Sequence, residues 1–253
     1  MAKNHFKGVC LGLSGGIDSA LVAAMAADAV GGANVHGISM PSMYSSDGSK
    51  DDAADLAKNI GAHYDIQPIE PLFVSFQKQL DLEGVAAENL QARIRGVIVM
   101  AYSNSKGLLA VATGNKSELA CGYSTIYGDA IGGYAPIKDL LKTRVWEISR
   151  WRNKAAASMG IGGLHIVGNE QGSAGTPLPD GVMIPVNSIE KAPSAELARG
   201  RKTPIRCRNM SCSIRCWQCT LNMRMVARIF WPTASMRPPS TRSCDWSIAP
   251  SGS

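Results

Sequence analysis

The sequence predicts an α/β fold with a doubly wound parallel sheet, and three observations predict it. Four short apolar runs, at residues 8–13, 34–40, 63–68 and 108–112, alternate with longer stretches of helical periodicity. The first run ends in Ser14-Gly15-Gly16, a turn between a strand and a helix. The chain has 253 residues and 45% hydrophobic content, which suits one domain with a buried core. Strands alternating with helices build parallel sheets through right-handed crossovers, and such sheets hold ligands at the carboxyl ends of their strands.

Each element follows from local chemistry. Residues 8–13, GVCLGL, read as a buried strand entering a glycine turn. Residues 18–30, DSALVAAMAADAV, are Ala-rich and apolar at helical spacing, and Gly31-Gly32 stops them. Residues 34–40, NVHGISM, are a second strand. A Ser/Tyr/Gly loop leads into a helix over 49–60, with Ser49 as candidate N-cap and Asp51 and Asp52 in the first turn. A third strand covers 63–68, helices cover 71–80 and 88–105, and LLAVA at 108–112 is a fourth strand. Residues 121–138 form a Gly/Tyr/Ser-rich loop, and 139–153 an amphipathic helix. Residues 160–183, rich in Gly and Pro, read as a loop or partly disordered insertion.

Charge and cysteine are unevenly spread. The net charge is +6, yet ten of the 26 Lys and Arg lie from Arg199 onward against one of the 20 acids, Asp245. Five of seven cysteines (Cys207, Cys212, Cys216, Cys219 and Cys244) also lie there. The remaining two, Cys10 and Cys121, fit a reduced compartment, and Cys121 reads as a small core residue. Trp146 and Trp151 are assigned to a core or a subunit interface. No apolar run reaches the roughly 18 residues of a membrane span, and MAKNHFKG has no apolar signal region. The expectation is a cytoplasmic protein that partners neither membrane nor nucleic acid.

The strongest chemical signal is Ser14-Gly15-Gly16-Ile17-Asp18-Ser19. Glycines let a backbone turn tightly and approach a ligand, and a helix start offers free N–H groups and a positive dipole end to an anion. Ser14 and Ser19 add hydroxyl donors. The segment is neither a Walker loop nor GxGxxG. Asp18 would repel bare phosphate, so a bridging Mg²⁺ is implied. Glu118, a few residues beyond the fourth strand, supplies a second carboxylate for the same cation. Lys138 and Lys142 are candidate phosphate ligands, each with the alternative of a solvated helix-face lysine. Arg93 and Arg95 are candidates for substrate phosphate, but two residues apart on a helix they point to different faces, so one of them is expected to reach it.

The hexapeptide resembles the S-G-G-x-D-S signature of the N-type ATP pyrophosphatases, which split ATP between its α- and β-phosphates. ENLQARIR at 88–95, ATGNKSE at 112–118, GYSTIYGDAIGGYAPIKD at 122–139 and IPVNSIEKAPSAEL at 184–197 are similar, in order and spacing, to the NAD synthetases. The resemblance covers about residues 6–197. It implies an adenine nucleotide α-hydrolase-like fold and an ATP site made of Gly12, Leu13, Ser14, Gly15, Gly16, Ile17, Asp18, Ser19, Met40 and Thr113. It implies a deamido-NAD site made of Asn89, Arg95, Glu118, Tyr123, Ser124, Thr125 and Ile126. Asp18 and Glu118 would hold Mg²⁺, and Asp18, Glu118 and Lys138 would be the catalytic set. The implied reaction joins deamido-NAD and ammonia at the expense of ATP, giving NAD, AMP and pyrophosphate, in a homodimer or higher oligomer. A different ATP pyrophosphatase, such as a tRNA-modifying or GMP-synthetase-like enzyme, and an inactive nucleotide-binding remnant are the competing readings. Members of the family with a fused glutaminase make ammonia in place. No such domain is found before Gly8, so ammonia is expected from solution or a partner.

After Leu197 the resemblance stops, and residues 198–253 read as an out-of-frame tail. Codons for residues 204–210, read from each third base, permit Asp-Ser-Leu-Pro-Glu-Tyr, the segment that the family places next. Residues 215–220 permit Leu-Leu-Ala-Met-Tyr, and residues 243–251 permit a further amphipathic stretch in the same register. The spacing C-x4-C-x3-C-x2-C lacks the paired C-x2-C of a zinc ribbon. Limited proteolysis should trim the chain to a fragment ending near Leu197, identified by mass spectrometry. A protease-resistant product of full length would count against the frameshift.

Overall fold

A computed structural model of the chain describes residues 4–128, 130–159 and 183–191. The expected insertion at 160–183, except Met183, and the tail at 198–253 lie outside the described residues. Four parallel strands form one sheet in the order β3-β2-β1-β4: β1 is Val9–Gly12, β2 Val35–Ser39, β3 His63–Ile66 and β4 Leu109–Ala110. Helices α1 (Ile17–Val30), α2 (Asp47–Ile60), α3 (Glu70–Leu80), α4 (Gly84–Lys106), α5 (Lys116–Cys121), α6 (Lys142–Met159) and α7 (Val186–Glu190) complete the described elements.

The winding on two faces comes from the alternation of β1. Val9 and Leu11 point to one face and pack with α1, α2, α6 and α7, whereas Cys10 points to the other with Ile94 and Val99 of α4 and Phe73 of α3. Val9 pairs with both Val35 and Leu109, so β1 is central and the chain reverses direction across the sheet between β1 and β4. That reversal opens the crevice in which such sheets bind ligands. A buried ion pair ties the first face together: Arg152 of α6 donates from Nε and Nη2 to the two carboxylate oxygens of Asp28 on α1, at 2.8 and 2.6 Å.

Several boundaries differ from expectation. Helix α2 begins at Asp47, because Ser46, not Ser49, is the N-cap: Ser46 is extended and its Oγ accepts from Ser49 N. Ser49 is instead buried within the first turn. Helix α4 starts four residues earlier than predicted, and α6 begins at Lys142 and runs on to Met159. β4 is shortened to two residues, since Val111 bridges to Tyr134 and Ala112 N donates to the Tyr134 carbonyl. Cys121 is exposed at the end of α5, not a core residue, whereas burial pushes the Cys10 thiol up to about 11. Trp146 packs against the core, and Trp151 is exposed.

At the sheet edge His36 and His63 stack with ring centroids 4.4 Å apart, beside Asp65 and Lys106. Burial, then the His63 and Lys106 charges, lowers the pKa of His36 below its ordinary value of 6.5, opposed by Asp65. The unfolded chain therefore takes up this proton first as pH falls. Stability should be unaffected above pH 6.5 and should decline as pH drops through that value toward the lowered native pKa. Urea unfolding at pH 7.5 and 5.0 measures this, and His36→Phe, which keeps the stack, should shrink the difference.

Candidate functional site

The segment after β1 turns because Gly15 adopts φ +72°, and a β-carbon there would lie 2.2 Å from the Ser49 carbonyl oxygen. The loop backbone is thereby pressed against the first turn of α2. Gly16 caps α1 without a side chain, so the first-turn N–H groups face the loop. Ser19 Oγ donates to the Gly16 carbonyl at 3.0 Å, lies 3.2 Å from Ser14 Oγ, and accepts from Ser14 N at 3.3 Å. These bonds, with Gly16 N donating to Ser14 Oγ at 3.3 Å, fix the loop around the start of α1, with Ser19 buried behind it. The arrangement suits an anion with several oxygens.

Across the crevice, the turn after β4 carries Thr113, Gly114 and Asn115. Asn115, fully buried, starts α5 with a capping box: its Oδ1 accepts from Glu118 N at 3.0 Å, and Glu118 Oε2 accepts from Asn115 N at 3.2 Å. Its remaining Nδ2 donates to Asp18 Oδ1 at 2.8 Å. Asn115 thus links the carboxylates that the sequence singles out. Sequence reasoning assigned it no role, although Asn-x-x-Glu before a helix was a readable signal.

Lys142 completes the cluster. Its side chain is 4% exposed; Nζ donates to Asp18 Oδ2 and lies 3.8 Å from Glu118 Oε1. Lys142 N donates to Ser117 Oγ, which fastens the start of α6 to α5. The reading of Lys142 as a solvated helix-face lysine is corrected by this burial. Lys138 sits elsewhere: it is 57% exposed and pairs with Asp139 at 2.8 Å, where its hydrogen bond holds the Asp139 carboxyl below its ordinary range.

The other expected residues form a second wall. Asn89, Arg93 and Gly96 share one face of α4. Asn89 Oδ1 accepts from Thr125 Oγ1 at 2.9 Å, and Arg93 Nε donates to the Ile126 carbonyl at 3.3 Å. A β-carbon on Gly96 would lie 3.1 Å from the Tyr127 and Gly128 carbonyl oxygens, so the loop lies directly on the helix. Arg95 turns away and donates to the Met40 carbonyl at 3.1 Å, beyond β2. Met40 in turn reaches over Gly12, where a β-carbon would lie 2.9 Å from Met40 Cε. Tyr123 N donates to the Glu118 carbonyl at 2.9 Å, so α5 joins the carboxylate cluster to the 123–126 wall, with Ser124 half-buried and Ile126 exposed. Leu13 and Ile17 are buried beneath the loop in the core.

A parallel sheet in this order, with a glycine loop and paired carboxylates at its reversal point, defines a domain of the adenine nucleotide α-hydrolase type. The NAD synthase family model matches residues 1–204, and the chain belongs to that family. It is 50% identical over 203 residues to the glutamine-dependent NAD(+) synthetase of Rhodobacter capsulatus, covering 78% of this chain and 34% of that protein. Among solved structures it resembles the glutamine-dependent NAD+ synthetase of Acinetobacter baumannii, determined with ADP (TM-score 0.63, 33% identity, 95% of this chain and 44% of that one). It also resembles the NH3-dependent NAD synthetase of Campylobacter jejuni (TM-score 0.57, 39% identity, 60% of this chain and 67% of that one). The chain spans about a third of the length of the curated relatives it matches.

Asn115→Ala removes an N-cap and a hydrogen bond to a carboxylate. It should lower stability by roughly 2–3 kcal/mol, measured by urea unfolding. Asn115→Asp keeps the cap acceptor but sets a negative charge against Asp18, and should not restore the loss.

Proposed function

We propose that this chain performs the ATP-dependent amidation of deamido-NAD to NAD through an acyl-adenylate, releasing AMP and pyrophosphate. The observation that carries the reading is the convergence of Asp18, Glu118, Asn115 and Lys142 beside the Ser14–Ser19 loop. Membership of the family and the names of its relatives support it. In this reading the loop binds the β- and γ-phosphates, with Gly12, Leu13, Met40 and Thr113 along the nucleotide. Asn89, Tyr123, Ser124, Thr125 and Ile126 take deamido-NAD, whereas Arg95, expected there from the sequence, is held at the Met40 carbonyl away from that wall. The nicotinate carboxylate attacks the α-phosphorus, the α–β bond breaks, and pyrophosphate stays in the loop. Ammonia then displaces AMP from the acyl carbon and loses a proton.

Two carboxylates already spaced around one ammonium suit Mg²⁺, which is commonly held by one or two carboxylates together with substrate phosphates. Asp18 and Glu118 would hold it, and when bound it would neutralise charge on the phosphates. The protein's own part is positioning and electrostatics. Lys142, not Lys138, is the lysine in place to follow the phosphates when a metal takes over the carboxylates. The reading includes a homodimer or higher oligomer, as the family resemblance implies. No described helix is long and apolar enough to cross a membrane. The end of the family match at residue 204 supports the out-of-frame reading of the tail.

The purified chain, given deamido-NAD, Mg-ATP and ammonium, should release AMP and NAD in equal amounts, followed by chromatography. Asp18→Asn should weaken Mg-ATP binding at least tenfold by calorimetry. AMP release that does not depend on deamido-NAD would favour another ATP pyrophosphatase, and Mg-ATP binding without turnover would favour the inactive remnant.

A further inference from the structure

The segment 183–191 packs among α1, α2 and α6 and is fixed at both ends. At its start Met183 and Ile184 are buried, Asn153 exchanges hydrogen bonds with both the N–H and the carbonyl of Ile184 at 2.9 and 2.8 Å, and Asn59 donates to the Met183 carbonyl at 3.3 Å. At its far end Asn187 Nδ2 donates to both Asp52 oxygens at 3.0 Å. Lys191 Nζ donates to Asp52 Oδ2 at 3.1 Å and to Ser49 Oγ at 2.8 Å. Ser49 and Asp52 lie three apart on one face of α2, so a single ammonium bridges them.

The place of this ammonium is informative. A cation beside a helix N-terminus opposes the helix dipole, so stabilisation of α2 does not explain it. Asp52 offsets the charge, and the remaining effect is on Ser49. Ser49 Oγ receives both Lys191 and the Ser46 hydroxyl, at 2.8 and 3.0 Å. The carbonyl of the same residue is the atom against which Gly15 is pressed. Lys191 therefore sets the position of the wall behind the glycine loop, without itself lying in the loop.

We propose that Lys191 is a positioning residue for the phosphates of ATP, acting through Ser49 and the first turn of α2 on the backbone of Gly15 and Gly16. The proposal deepens the functional reading above and rests on the Ser14–Ser19 loop being the phosphate site.

The test compares Lys191→Met, Lys191→Arg and Asn153→Ala in the full chain, with calorimetric affinities for Mg-ATP and deamido-NAD and a thermal midpoint for each. Lys191→Met should weaken Mg-ATP binding about tenfold, equivalent to about 1.4 kcal/mol, and leave deamido-NAD affinity within about twofold. Lys191→Arg should recover most of the loss. Asn153→Ala loosens the anchor at Ile184 and should lower the thermal midpoint without the selective loss of ATP. Amide hydrogen exchange at Gly15 and Gly16 should rise in Lys191→Met and not in Asn153→Ala, a readout that does not depend on turnover. If the wild-type chain binds no Mg-ATP, the functional reading falls and the proposal with it. If the wild type binds and Lys191→Met binds equally well, or loses both ligands in proportion to its thermal midpoint, the proposal alone is overturned.

Discussion

The site depends on one buried ammonium. Lys142 stands between Asp18, at the start of α1, and Glu118, at the start of α5, and so joins two loops that leave the sheet from neighbouring strands. Two carboxylates brought this close would repel each other, and removing them from water without a partner is costly. The lysine balances them from the first residue of α6, and Asn115 braces both, Asp18 through its side-chain Nδ2 and Glu118 through its main-chain N–H. Each member of the cluster is therefore a condition for the others. A bound metal would not create this geometry; it would enter a space already shaped for a cation.

Around that cluster the crevice has two walls with different physics. The side of the glycine loop, proposed above for phosphate, is built from backbone, namely glycines and the start of α1, and from hydroxyls locked by one another. The opposite side is built from a helix face, where Arg93 bonds the Ile126 carbonyl, Asn89 accepts from the Thr125 hydroxyl, and Gly96 gives the 123–128 loop room. Helix α5 is the hinge between them. Its first turn carries Glu118, and its last hands the chain to Tyr123.

Much of this was legible in the residues. Strand and helix order followed from apolar periodicity, and the loop at 14–19 from glycines between a strand and an Ala-rich helix. The reach of Arg93 and Arg95 to different partners followed from their spacing. What escaped was set by tertiary partners. Lys138 and Lys142 are four apart in one basic, amphipathic stretch, and nothing local says which is buried. Only the arrival of Asp18 and Glu118 from distant segments decides it. The two-residue β4 escaped for a related reason, because Tyr134 takes over pairing where the apolar run suggested more strand. From the sequence Ser49 reads as the cap of α2, and its burial against Gly15 and Lys191 is what leaves the capping to Ser46.

The ion pair between Arg152 and Asp28 bears on how the molecule comes into being. Its partners stand 124 residues apart, as do Lys142 and Asp18. On a ribosome, α1 and its glycine loop leave the tunnel long before the cations that neutralise them. Until α6 emerges, Asp18 and Asp28 remain solvated acids on a helix without its neighbour, and the emerging chain cannot yet form the crevice. Such distant closures are slow because ordering entropy is lost before the contact forms. α6 is thus the element whose synthesis supplies the counter-charges to a sheet and glycine loop whose residues have already been made.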